Sequence, residues 1–193
     1  MILRNYHNTL AAYVLGATYT GDPVFGDGYL TVKHADGSVY NLDMSSKSRA
    51  YTGKSFSIGR SESTIAGSYS TNSGYPRIIF GTGNSAVTYD DFKLESEYSN
   101  ISKASFVVTE PVYNASTKKY TNTVSFVLTN TGTEDVTIRE VGVNMEVIVK
   151  PGAYPSEKDV LVYREVIDEP VTIAANASMK YKHTFEFAMP SIG

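Results

Sequence analysis

Met179-Lys180-Tyr181-Lys182-His183-Thr184-Phe185-Glu186-Phe187 is the stretch that decides the fold. Apolar and aromatic residues alternate with charged and hydroxylated ones, the repeat of a strand with one packed face. Val124, Phe126 and Leu128 alternate with Ser125, Val127 and Thr129 in the same way. Between Val136 and Val149 the apolar phase switches, from Val136 and Ile138 to Val141, Val143, Met145, Val147 and Val149. One inserted residue produces such a switch, so a β-bulge is expected at Glu140 to Gly142. Val160 to Ile167 is apolar at both parities apart from Arg164 and Glu165, which reads as a central strand. Pro170 and Pro190 mark strand ends. Five or six strands with turns every ten or so residues predict an all-β fold, an antiparallel β-sandwich, Ig-like or jelly-roll-like, over residues 76–193.

Towards the start of the chain the signals are shorter. Arg77-Ile78-Ile79-Phe80 is a brief apolar strand broken by Gly81-Thr82-Gly83. Thr88 with Asp91 three residues on has the spacing of a capping box and predicts a short helical turn. Ser45 to Tyr75 is rich in Ser, Thr, Gly and Asn, with Phe56, Ile58 and Ile65 as isolated anchors. It reads as a long loop, or several short strands, lying on a partner. Tyr29 to His34 and Val39 to Met44 alternate around Ala35-Asp36-Gly37-Ser38, a hairpin with an Asp-Gly turn. Asn5 to Leu15 reads either as one short helix stopped by Gly16 or as an extended arm paired with a neighbour. Residues 1–75 thus form a hairpin-bearing arm, with little helix in the chain.

Composition sets outer limits. The chain has 193 residues and a net charge of −3, which disfavours electrostatic binding to nucleic acid or to an anionic membrane. Without cysteine, disulfides, thiolate zinc sites and thiol chemistry are excluded. No apolar run approaches the roughly 20 residues that span a bilayer. The first residues lack the charge, apolar stretch and small-residue site of a secretory signal. Ser and Thr number 21 and 19, and with 15 Tyr this suits pleated surfaces and turns. Tryptophan, a common sugar platform, is absent.

Each candidate for chemistry has a structural counterpart. Gly81-Thr82-Gly83-Asn84-Ser85-Ala86 fits G-x-G-x-x-A after a strand, but a dinucleotide site needs a following helix, which the chain does not offer. A tight glycine turn is the better reading. His7, His34 and His183 lack metal-ligand spacing, and His183, between Tyr181 and Phe185, reads as a buried, hydrogen-bonded core residue. Asp90, Asp91, Glu95 and Glu97 offer paired carboxylates for acid–base work or a calcium site. The EF-hand spacing is absent, and acids stabilising a helix N-terminus account for them. Arg139-Glu140-Val141 and Arg164-Glu165-Val166 repeat a tripeptide, and on neighbouring strands their charges would cross-pair. Arg164 must be paired or lie at an interface, because an unpaired buried charge is costly. Sequons at Asn100, Asn114 and Asn176 number about what chance gives.

The order Phe80-Gly81-Thr82-Gly83, Thr88 to Glu95, Asn130-Thr131-Gly132, Thr137-Ile138-Arg139-Glu140-Val141-Gly142 and Leu161-Val162-Tyr163-Arg164-Glu165-Val166 carries a resemblance. Residues 77–188 resemble small structural proteins of tailed-bacteriophage virions, in which F-G-T-G…T…D…L-E precedes a sandwich bearing T-I-x-E-V-G and L-x-x-R-E-V-L. The chain departs from that pattern at Ile167-Asp168-Glu169 and at Ala175-Asn176-Ala177-Ser178. The resemblance implies a non-enzymatic virion component, auxiliary capsid, neck or tail, with no cofactor, no metal and no catalytic residue. Its partners would be other virion proteins and copies of itself in a symmetric oligomer. Leu30, Val32, Leu42, Phe56 and Arg164 are the expected interface residues. The competing readings are a carbohydrate-binding sandwich stacking sugars on Tyr51, Tyr69 and Tyr75, and a hydrolase using Asp90, Asp91 or Glu95.

Overall fold

The computed structural model describes residues 1–15, 31–42, 77–149 and 156–188. The chain runs α1 (Arg4–Leu15), β1 (Thr31–Lys33), β2 (Val39–Asn41), β3 (Arg77–Gly81), β4 (Ile101–Val108), β5 (Val112–Asn114), β6 (Lys119–Asn130), β7 (Val136–Val149), β8 (Ser156–Ile173) and β9 (Ser178–Ala188). Every strand pairing is antiparallel. The fold is an all-β sandwich of two sheets, with a small helix–hairpin layer.

The first sheet has the order β3-β7-β8. In the second, β9 pairs with β6 from Lys119 to Thr129, while β4 and β5 pair in turn with separate stretches of β6. Because β9 occupies one side of β6, β4 and β5 share the other. Alternation puts Val124, Phe126 and Leu128 of β6, and Tyr181 and Phe185 of β9, against the first sheet. The Phe80 ring stands edge-on to Phe126 and Tyr181, at 5.9 and 5.5 Å between centroids. Tyr163 meets Phe185 at 5.1 Å.

Val160 to Arg164 is buried at every position, as its continuous apolarity suggests, but β8 is an outer strand. The centre is β7. The two-sided burial arises because the hairpin, Leu3 and Leu94 cover one face and the second sheet covers the other, while the chain's first residues pair with the β8 edge. The Leu3 N–H donates to the Val162 carbonyl at 2.9 Å, and the Arg164 N–H donates to Met1 at 3.1 Å. Sequence periodicity cannot distinguish a strand flanked by two strands from one flanked by a strand and a terminal segment. The register of β7 on β8 shifts between Ile138 and Glu140 and between Val143 and Asn144, on either side of the stretch expected to bulge.

Asn5 to Leu15 is a helix rather than an extended arm. The hairpin forms with Gly37 at φ 88°, the left-handed conformation its Asp-Gly turn requires. Both pack on the sandwich. Val32 and Leu42 share a core with Val147, Val149, Val160 and Val162, and Leu3 joins Leu94 and Leu161. Asn5, almost fully buried, donates to the carbonyls of Lys33 and Leu161 and accepts from the Lys33 N–H, so one side chain ties β1 to β8. The described part of residues 1–75 therefore shares its core with the described part of residues 76–193.

Candidate functional site

β8 carries Arg164 opposite Gly142 of β7, two residues along from Glu140. The side chain lies on the face of the first sheet turned away from the second, beneath the β3–β4 loop, and is 3% exposed. Its Nε donates to Glu140 Oε2 at 2.9 Å and its Nη1 to Asp91 Oδ2 at 2.7 Å. Nη2 reaches the Ser85 carbonyl and hydroxyl at 3.3 and 3.2 Å, and stands 3.9 Å from Glu95 Oε2. The repeated Arg-Glu-Val tripeptides do lie on neighbouring strands, and one cross-pairs, Arg164 with Glu140.

Glu140 is fully buried, so its carboxylate needs every acceptor site filled. The loop between β3 and β4 fills them. Gly83 and Ser96 N–H donate to Oε1 at 3.2 and 2.9 Å, and the Glu95 N–H donates to Oε2 at 3.1 Å. Glu95 in turn accepts the Asn84 and Ser85 N–H groups at 2.7 Å each. Gly81 and Gly83 are needed for space. A Cβ on Gly81 would collide with the Glu140 carboxylate and stand 2.5 Å from the Ser96 carbonyl, and one on Gly83 would stand 2.7 Å from Glu140 Oε1. The G-x-G-x-x-A spacing thus serves the approach of backbone to a buried carboxylate, and the chain after Ala86 continues without a helix.

Thr88 and Asp91 make half of a capping box, the Thr88 N–H donating to the Asp91 carboxylate at 3.1 Å; the Thr88 hydroxyl donates there too, at 2.7 Å, and the Asp91 N–H donates to the Thr88 carbonyl at 3.2 Å. They close a turn rather than open a helix, and the Oδ2 that accepts the Thr88 N–H also accepts from Arg164. The acidic cluster therefore has a different cause from a helix dipole. Burial alone would raise the Asp91 pKa, but the bonds from Thr88 and Arg164 outweigh it and hold the carboxyl below its usual value. The Ser85 backbone and hydroxyl bonds likewise hold Glu95 low. Burial alone would lower the Arg164 pKa, but Asp91 and Glu140 outweigh it and raise it further, so the cation is permanent. Asp90 turns away and pairs with exposed Arg4 at 2.6 Å. Of the three carboxylates proposed for hydrolysis, two are thus engaged by Arg164 and backbone N–H groups. Among the described residues no three His, Asp or Glu side chains converge as metal ligands.

The remaining expected residues have varied fates. Val32 and Leu42 were expected to meet neighbouring subunits; both are buried against β7 and β8 of their own chain and offer no surface. Their alternation faces inward because the hairpin covers an apolar end of the sheet. Leu30 and Phe56, with Tyr51, Tyr69 and Tyr75, lie outside the described residues. Arg164 is paired internally. His183 is buried, with Nδ1 3.3 Å from the Tyr181 hydroxyl and Nε2 3.5 Å from Glu165 without a hydrogen bond. Tyr163 donates to Glu165, and burial pushes the Tyr181 phenol up to about 12.

Asn130 escaped the sequence reading. Fully buried, it donates to the Glu134, Ile173 and Ala174 carbonyls and accepts from Tyr98 and Gly132, tying the β6–β7 turn to the β8–β9 turn. Its only signal is the Asn-Thr-Gly turn. The exposed apolar residues Val107, Val112, Tyr113 and Tyr120 were also missed. They lie where β4, β5 and the start of β6 project as a tongue, with Val107 and Val112 60% and 62% exposed. No protein-family model matches the chain, and neither a curated protein nor a solved structure is significantly similar to it.

Proposed function

We propose that the chain is a non-enzymatic structural component of a bacteriophage virion, assembling through protein–protein contacts. The observation that carries this reading is the projecting tongue. Among the described residues, five of the eight exposed large hydrophobic side chains lie here, Val108, Tyr113 and Tyr120 on one face and Val107 and Val112 on the other. Grouped apolar and Tyr surface of this kind is characteristic of protein contact sites. The residues that carry the resemblance support it in a second way. Gly81, Gly83, Asp91, Glu95, Glu140 and Arg164 are saturated by one another and by backbone groups, the behaviour of a fold-fixing network. A glycan-binding reading keeps one supporting observation, the Tyr113 and Tyr120 rings 4.8 Å apart on the tongue surface.

The test is peptide mass spectrometry of phage particles purified by density gradient from the source culture. The chain is expected at a fixed ratio to the major particle proteins and is retained after a high-salt wash. Its absence from the particles overturns the reading. A glycan array with the Tyr113→Ala, Tyr120→Ala variant as control measures the competing one.

A further inference from the structure

Three of the four sheet edges are protected. Met1 to Leu3 cover β8 at Val162 to Arg164, and at the end of β3 the Ser96 and Phe80 carbonyls accept from Thr82 and Tyr98. The β4/β5 edge is broken by an irregularity between Ala104 and Val107, by left-handed Ser105 at φ 54°, and by Pro111 before β5. Such covers and breaks are how native sheets avoid edge pairing. β9 has none of them. It holds an unbroken register on β6 from Ser178 to Ala188, contains no Pro or Gly, and pairs with no other strand among the described residues. Its outer edge is a row of backbone groups suited to one more antiparallel strand.

The sequence of β9 is complementary to itself. Its solvent face carries Lys180, Lys182, Thr184 and Glu186, all exposed. Two copies laid antiparallel about His183 place Lys180 opposite the partner's Glu186 and Lys182 opposite the partner's Thr184. The two-fold axis repeats each contact, giving two Lys–Glu pairs and no like charges in opposition. All of Ser178 to Ala188 is then paired. Centring on Lys182 sets two lysines face to face, and centring on Thr184 leaves Ser178 and Met179 beyond the ladder. Cross-strand charge is the term that selects register in such a pairing.

We propose that β9 pairs with β9 of a second copy in an antiparallel ladder centred on His183, joining the two second sheets across a two-fold axis. The contact is isologous, as a closed dimer requires. The proposal goes beyond the assembly reading and does not need it, since it stands on the edge and its charges alone.

Sedimentation equilibrium of the full chain tests it, with Lys180→Glu, Glu186→Lys and the double charge reversal. The parent is expected to show a monomer–dimer equilibrium. Each single reversal should weaken it about tenfold or more, because both symmetric pairs become repulsive, and the double reversal should restore it. Lys180→Glu is the cleaner single variant, as Glu186 also meets Lys119 at 2.6 Å within the chain. β9 amides should exchange more slowly as the protein is concentrated. A parent that stays monomeric, a dimer indifferent to Lys180→Glu, or a double reversal that fails to restore association overturns the proposal. These measurements use the purified chain, so they stand apart from the particle composition that tests the proposed function.

Discussion

The two sheets of the sandwich share a core and treat their boundaries in opposite ways. The first, β3-β7-β8, is covered on each edge by a short piece of the same chain, at Val162 to Arg164 and at Phe80 to Thr82, and its outer face is pinned by Arg164, Glu140 and the loop that wraps them. Among the described residues the second keeps one regular open edge and carries an exposed tongue. Closure costs polar and apolar groups buried at distant points of the sequence. Openness costs almost nothing in contacts. The difference teaches where selection for one stable shape ends and where surface remains for something else.

The contrast breaks most sharply at Arg164. Arg164→Met leaves the fully buried Glu140 carboxylate and Asp91 without their cation, and should cost about 3–5 kcal/mol or prevent folding. Urea denaturation measures it, with Glu140→Gln as a second probe. A loss below 1 kcal/mol would mean that the first sheet is not held by this network.

Acid should act on the same sheet to a smaller degree. Asp91 has a lowered folded pKa against an ordinary value of 3.8. Its contribution is therefore complete above the ordinary value and disappears as pH falls through the lowered one. Asp91→Asn should cost about 2 kcal/mol at pH 7, and the gap from the parent should close as pH falls below the ordinary value of 3.8. Denaturation midpoints across pH 2–7 read this out, and a constant gap would remove Asp91 from the account.

The smallest effect belongs to the tongue. Val112→Thr should change stability by no more than about 0.5 kcal/mol, and amides from Val107 to Thr121 should exchange faster than those of β7. A large loss of stability there would show that the tongue is a packed part of the monomer.

The sequence made the strands legible where one face is packed and the other wet. Phe126 and Tyr181 announce themselves by period, and Asp36-Gly37 announces its turn. What stayed hidden involves partners distant in sequence. Nothing near Glu140 reveals that Gly83, Ser96 and Arg164 will surround it, and nothing near Val160 reveals that Met1 to Leu3 will take the place of a flanking strand. Val32 and Leu42 were legible as apolar and alternating, but a pattern of that kind is the same whether the surface it meets belongs to its own chain or another. The capping-box spacing of Thr88 and Asp91 gave one correct hydrogen bond, from the Thr88 N–H to the Asp91 carboxylate, with the wrong element, and local spacing cannot sense an arginine that lies 73 residues further along.

The pairing of Leu3 with Val162 also sets a timetable. Leu3 leaves the ribosome about 160 residues before its partner, a delay of roughly 8–30 s at ordinary synthesis rates. The third apolar cluster, Leu3 with Leu94 and Leu161, therefore cannot form during most of translation. Hairpin β1–β2 is local and can close early, but its core waits for β7 and β8. The cluster that covers the β8 edge is therefore completed late, with the high contact order that makes folding slow.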